Sequence, residues 1–383
     1  MLRLKIPFIP LYKGEYPRKI TTASMKTLVI KIGTSTLMRN GAPDEKFLAD
    51  VARQIFALRE LGWRTVIVTS GSIRIGLDII KRERAVRLPE KQAAAAIGQS
   101  LLMRAYRRAL QPHNLHVAQL LLTRADIGDR QRFINARHTM TQLFRWNVVP
   151  VVNENDTVST EEIKVGDNDT LAALTAFVAE ADLVLLLSDV DGFYLPGQKI
   201  PVPRIERITK EIEDAAGGSG SKMGTGGMRT KVEAARSATR AGIDLVIAHG
   251  RAKDVILKTV RGENIGTRFC AKQTLRGKKR WIAYGRQPLG ILKLHPNARP
   301  ALVEKGSSLL PVGILEVQGS FNHGALVSLV DEKGEYARGL VNYSADDLRR
   351  IAGLKSSQLA ATLGRADFTE AIHRDNLILL EKP

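Results

Sequence analysis

Two lysines and a dense run of Asn and Asp residues are where this sequence carries chemistry. Lys31 stands near the end of the apolar run Thr27–Ile32, just before Gly33, Thr34 and Ser35. It reads either as an edge residue whose ammonium reaches solvent on its own stem, or as a cation fixed beside a bound phosphate. Lys231 follows the glycine-rich stretch 217–227, which contains Gly224, Thr225, Gly226 and Gly227, and then Met228, Arg229 and Thr230. Glycines let backbone N–H groups approach phosphate oxygens, a helix N-terminus favours anions, and a lysine in its first turn adds a point charge. A flexible linker accounts for a glycine run just as simply. Directed to one nucleotide, the two lysines could flank a transferring phosphoryl group. The third cluster runs from Asn153, Glu154, Asn155 and Asp156 to Asp167, Asn168 and Asp169. Its plain reading is a turn and a helix cap, with Asp169 capping a helix over 170–180. Its other members are candidates to bind the ammonium of an amino-acid substrate or to hold the lysines.

Other chemistries lack their residues. No GxxxxGK[ST] loop, HRDxxxxN, DFG or HExxH occurs, and His113 with His116, the one close histidine pair, reads as a loop before a strand. No metal-ligand set is assigned. The single cysteine, Cys270, cannot form an internal disulfide or a multi-cysteine zinc site, which fits a reducing cytoplasm.

The elements that must position these residues alternate. Strand-like runs at 27–32, 64–69, 116–122, 148–152, 182–187 and 244–248 are separated by helical patterns at 44–61, 89–110, 130–146, 169–180 and 227–242. Within 44–61 the apolar stripe is Phe47, Leu48, Val51, Ile55 and Leu58. The pattern predicts an α/β three-layer sandwich with a mostly parallel central sheet. LVLLL at 183–187 is apolar throughout, as a strand covered on both faces should be. Ligands bind beyond the carboxyl ends of such strands, where the three clusters fall. After residue 268 the rhythm changes. A basic linker (269–280) leads to short strands with turns at Gly290, Gly306, Gly319 and Gly334. Ser344 is placed to cap a helix opened by Asp346 and Asp347. Residues 26–268 therefore read as one domain and 281–383 as a small β-rich second one. Residues 1–25 read as a flexible basic extension or a start assigned too early. Pro7, Pro10 and Pro17 interrupt them, and no apolar core precedes a cleavage site.

The 383 residues carry 58 Lys and Arg against 39 Asp and Glu, a net charge of +19. Such an excess first suggests a polyanionic partner. Counted by region it is +5 over 1–26, +8 over 27–268 and +6 over 269–383, with a local cluster at Arg276, Lys278, Lys279, Arg280 and Arg286. A diffuse excess argues for general attraction to anions over one dedicated groove. No apolar run approaches the roughly 20 residues needed to span a bilayer.

Taken together, Lys31 with GTS, VTSG at 68–71, QLLLTRAD at 119–126, NENDTVSTEEIKVGDND at 153–169, LLLSDVDG at 185–192 and GTGGMRTK at 224–231 resemble the amino-acid kinase superfamily. The match is closest to the branch that phosphorylates glutamate. GSSLLPVGI at 306–314 and LRRIAG at 348–353 resemble the PUA domain that many bacterial members carry. The resemblance implies that Lys31, Ser188, Asp189, Thr225, Gly226, Gly227, Met228, Arg229, Thr230 and Lys231 contact ATP. It implies that Ser70, Asp156 and Asn168 contact L-glutamate, and that Asp169 organises the catalytic lysines. Two departures from the family pattern stand out: Ser188 where threonine is common, and Arg229 where a small polar residue is usual.

That reading implies transfer of a phosphoryl group from ATP to the glutamate γ-carboxylate as a first step toward proline, with Mg²⁺ carried by the nucleotide. A carboxylate of pKa about 4.3 is already ionised at neutral pH and needs no general base. The obstacle is repulsion between anions, so positioning and electrostatic stabilisation carry the catalysis. The resemblance further implies a cytoplasmic homo-oligomer, dimer or tetramer, inhibited by L-proline. Two other readings stay open: a relative accepting aspartate, acetylglutamate or carbamate, and an RNA-binding protein using the PUA-like domain.

Overall fold

The computed structural model describes residues 25–159, 168–217, 227–271, 282, 288–364 and 368–380. The expectations for residues 1–24, for Thr225 and Gly226, and for the basic cluster from Arg276 to Arg286 fall outside these.

The first strand, β1 (Lys26–Ile32), is buried along its whole length after Lys26. After it come α1 (Thr34–Leu37), a small hairpin of β2 (Met38–Arg39) and β3 (Ala42–Pro43), α2 (Glu45–Glu60) and β4 (Trp63–Thr69). Next are α3 (Ser72–Ile79), α4 (Leu88–Leu110), β5 (His116–Leu122), α5 (Arg124–Gly128), α6 (Arg130–Arg145) and β6 (Val148–Glu154). The last group is α7 (Asn168–Val178), β7 (Leu183–Ser188), β8 (Arg204–Ile205), α8 (Lys210–Ala216), α9 (Met228–Arg240), β9 (Asp244–His249), α10 (Val255–Arg261) and β10 (Thr267–Phe269).

Among the described residues, eight strands form one sheet in the order β5-β6-β4-β1-β7-β9-β10-β8. Every pairing in it is parallel except β10 with β9. The mostly parallel sheet is the predicted one. The hairpin β2–β3 and the strands β8 and β10 went unread because two or three residues show no period.

Side-chain alternation decides what each face of β1 meets. Leu28, Ile30 and Ile32 join the core formed with α2, α4 and α10. Val29 joins the opposite core, with α6, α7 and α9. Lys31 is in phase with Val29, so its stem runs toward α7 and α9. Helix α2 buries the predicted stripe, and Asp44 caps it by accepting from the N–H groups of Lys46 and Phe47, both at 3.1 Å.

The C-terminal part forms a five-stranded sheet of β11 (Gly290–Leu294), β12 (Ile314–Gly319), β13 (Leu326–Asp331), β14 (Gly334–Leu340) and β15 (Leu377–Leu379), ordered β12-β11-β13-β14-β15. Ser344 caps the helix Ala345–Ile351 as predicted, accepting from the Asp347 N–H at 3.1 Å. Gly290 corrects an expectation: it is no turn but the first residue of β11, paired with Gly319 and Val327. A Cβ there would lie 2.3 Å from the Phe321 ring, so glycine is present for close approach rather than for chain reversal.

Candidate active site

Lys31, Asp169 and Lys231 meet at the carboxyl end of the central strands. Asp169 lies in the first turn of α7 and is fully buried. Its Oδ1 is 2.6 Å from Lys31 Nζ, and its Oδ2 is 3.0 Å from Lys231 Nζ. Both lysines are themselves only 5–6% exposed. The solvent-reaching reading of Lys31 is thus replaced by a buried ion pair. One carboxylate holds both ammoniums together at the end of the strands. Thr230, one residue before Lys231, donates its hydroxyl to Asp169 Oδ2 at 3.3 Å and to the Gly227 carbonyl at 2.8 Å. Gly33 gives Lys31 room, since a Cβ there would stand 3.3 Å from its Nζ.

Around this centre the remaining candidates divide into two sides. Ser188, buried at the end of β7, donates to the carboxylate of exposed Asp189 at 3.1 Å. Gly227 and Met228 open α9 beside the triad. Arg229 turns away, exposed and paired with Glu233 one helical turn on at 3.2 Å. On the other side, Asn168 donates from Nδ2 to Ser70 Oγ at 2.7 Å and to Asn153 Oδ1 at 3.0 Å, and also reaches the Thr69 carbonyl. Ser72 donates to Asp156 at 3.1 Å. Burial pushes the Asp156 carboxyl above its ordinary value, against the pull of the Ser72 hydroxyl. Burial also raises Glu154, opposed by Ser159 and reinforced by the Asp156 charge.

Sequence reasoning missed Ser72 and Gln99, and placed Asn153 only within the Asn and Asp cluster. Asn153 donates to Gln99 Oε1 at 2.9 Å and to Ser72 Oγ at 3.3 Å, so it ties β6, α4 and α3 together. Gln99 is buried on the otherwise alanine-rich part of α4. A glutamine at a core-facing helical position was the one available signal, because a buried amide needs polar partners.

Residues 26–249 match the model of the amino acid kinase family, and residues 294–363 match that of the PUA domain. The glutamate 5-kinase of Pelobacter propionicus is 44% identical over 93% of this chain and 98% of its own length. That of Syntrophotalea carbinolica is 45% identical over 94% of this chain and 99% of its own, and that of Moorella thermoacetica 44% over 94% and 98%. The chain belongs to the amino acid kinase family, in its glutamate 5-kinase branch. The eight-stranded sheet with helices on both faces is the fold of this kinase, and the β-rich C-terminal part is its PUA domain. Relatives matched over nearly their whole length favour this branch over one with another acceptor.

Proposed function

We propose that this kinase joins the γ-phosphoryl group of ATP to the γ-carboxylate of L-glutamate, giving γ-glutamyl 5-phosphate and ADP, the first step of proline biosynthesis. A γ-carboxylate oxygen forms the new bond to phosphorus while the bond from phosphorus to the β,γ-bridging oxygen breaks. The observation that carries the reading is the buried Lys31–Asp169–Lys231 triad. Two fixed ammoniums offset the repulsion between carboxylate and triphosphate, and Asp169 holds them in place without reorganisation as charge moves. The chain from Asn168 through Asn153 to Ser72 and Asp156 offers acceptors for an α-ammonium and donors for a carboxylate, which suits an amino acid. Gly227, Met228, Thr230, Ser188 and Asp189 stand on the nucleotide side. Thr225 and Gly226 join them by resemblance.

Among the described residues no group of three or more His, Cys, Asp or Glu is arranged to hold a metal. Mg²⁺ would enter with ATP, held by its phosphates, as its preference for few carboxylates and several waters allows. L-Proline would compete in the amino-acid side of the site, and assembly into a homo-oligomer and a cytoplasmic location are further proposals resting on the resemblance. No helix among the described residues is long and apolar enough to cross a membrane. RNA binding by the PUA domain is supported by charge and by the domain match alone. Phe321, Tyr336 and Tyr343 are all buried, which removes them as platforms for base stacking.

Incubation with glutamate, ATP, Mg²⁺ and hydroxylamine should yield γ-glutamyl hydroxamate, with proline lowering the yield. No product with glutamate, but turnover with aspartate, acetylglutamate or carbamate, would sink the assignment.

A further inference from the structure

Arg251 follows β9 and sits outside the triad, yet it reaches the turn that carries Gly33, Thr34 and Ser35. Its Nη1 donates to Asp44 Oδ2 at 2.8 Å, and its Nη2 donates to the Thr36 carbonyl at 3.2 Å. The guanidinium also lies over the Phe47 ring, 5.5 Å from its centroid. Asp44 is buried, caps α2, and donates its own N–H to the Leu37 carbonyl at 2.8 Å. The preceding residue, Gly250, donates its N–H to the Ser188 carbonyl at 2.8 Å. A Cβ on Gly250 would stand 2.4 Å from Thr36 Cγ2, so β9 and α1 touch there backbone to side chain.

We propose that Arg251 is a positioning residue for the nucleotide side of the site: its fork fixes the α1 turn against α2 and against the Gly250–Ser188 contact. The inference rests on the reading that this side takes ATP. Arginine suits the role because its planar fork meets a carboxylate and a carbonyl at once, whereas a lysine ammonium is a single point on a flexible stem. Asp44 serves the same contact from the other end. Burial raises its carboxyl, but Arg251 and the Phe47 N–H outweigh that and hold it below its ordinary value, charged and able to accept. Thr36 is also buried, so the turn has little freedom once the fork is in place. The Arg251 side chain is 40% exposed and that of Asp44 only 5%. Losing the arginine leaves a buried carboxylate short of its partner, so some loss of stability is expected, and the split between the two KM values decides the role.

The test compares the full-length protein with Arg251→Ala, Arg251→Lys and Asp44→Asn. Hydroxamate formation is measured with ATP and glutamate varied separately, alongside calorimetric titration with ADP and Mg²⁺. Arg251→Ala should raise KM for ATP and Kd for ADP by at least about fivefold while KM for glutamate stays within about twofold. Arg251→Lys should recover only part, and Asp44→Asn should show the same split. An equal rise in both KM values, or ADP affinity unchanged in all three variants, overturns the proposal. If Arg251→Ala does not fold, the other two variants decide by the same split. If the parent protein binds ADP but forms no hydroxamate, the glutamate reading fails and the ADP series still decides the role of Arg251. If the parent does not bind ADP, the proposal fails too.

Discussion

Asn168 and Asp169 are consecutive, and their side chains serve opposite halves of the site. Asn168 reaches back to Ser70 and Asn153, while Asp169 takes Lys31 and Lys231. Successive positions in a helix point about 100° apart, so one helix start supplies both halves without any loop between them. On the proposed reading, the distance between acceptor and phosphoryl donor is tied to the backbone of α7, and a shift of that helix would move both.

On the proposed reading, the ammonium of Lys231 is a charge against which the phosphoryl group moves. Lys231→Met keeps most of the stem and removes the charge. Turnover in the hydroxamate assay should fall at least about tenfold, or about 1.4 kcal/mol in barrier. Unchanged turnover would remove Lys231 from the mechanism.

Asp169 is a different case, because it holds two buried cations rather than meeting substrate. Asp169→Asn keeps the shape and removes the carboxylate that both Lys31 and Lys231 contact. Removing one partner of a buried ion pair costs about 3–5 kcal/mol. The variant should therefore melt at a clearly lower temperature as well as lose turnover. ATP or ADP should restore part of the melting temperature by neutralising the lysines. A variant with parent-like melting would show that the two lysines do not need this carboxylate.

The amino-acid side makes a prediction of the opposite selectivity. Gln99→Ala takes the acceptor from Asn153, and leaving a buried donor unsatisfied costs about 1–3 kcal/mol. KM for glutamate should rise at least about fivefold, with KM for ATP little changed. Parallel changes in both constants would mean that Gln99 supports the whole domain rather than this side.

Burial of Asp156 gives the site a pH dependence with a definite sign. Its pKa is raised in the folded protein, so as pH falls the side chain is protonated sooner than an exposed aspartate. Affinity for the substrate ammonium should then fall as pH drops through that raised value, and kcat/KM for glutamate should carry this acid limb. Stability runs the other way. A raised carboxyl favours the folded state fully below its unfolded pKa, and that contribution is lost as pH rises through the folded one. At neutral pH the ionised Asp156 is therefore a burden on the free protein. Asp156→Asn should leave melting at pH 7 unchanged or higher while weakening glutamate binding. Lower melting together with unchanged glutamate affinity would contradict both halves.

The legibility of this protein follows physical range. Thr27–Ile32 and Phe47 to Leu58 were readable because burial imposes a local period, and the parallel order followed from strand and helix alternation. The pairing of Lys31 with Asp169 was not visible in spacing, since it depends on which face of β1 meets α7. The alternation that buries Val29 beside α7 and α9 also fixes Lys31, but only once the layers are known. The resemblance supplied that role; composition did not. Arg251 stayed hidden for the same reason, and Gln99 showed only as a glutamine at a core-facing position whose partners the sequence does not name. Each gains its partners only in the tertiary fold. Gly290 misled because a glycine required by a neighbouring ring is locally indistinguishable from one required by a turn.

The crossing of α3 and α4 offers a test in which two effects oppose each other. Gly98 sits mid-helix on α4, where alanine should stabilise a helix by about 0.8–1 kcal/mol. Its position against α3 reverses that expectation. A Cβ at 98 would lie 1.9 Å from the Ser72 carbonyl and 2.7 Å from the Gly76 nitrogen, both backbone atoms that cannot rotate away. Overpacking of this kind costs about 1–3 kcal/mol or more, so the steric effect should win. Because Ser72 and the neighbouring Gln99 both bond Asn153, the displacement should reach the amino-acid side of the site. Gly98→Ala should lower the melting temperature and raise KM for glutamate more than KM for ATP. A variant that melts higher than the parent, as helix propensity alone requires, would show that the two helices part without consequence and that their close approach does not set the position of Ser72.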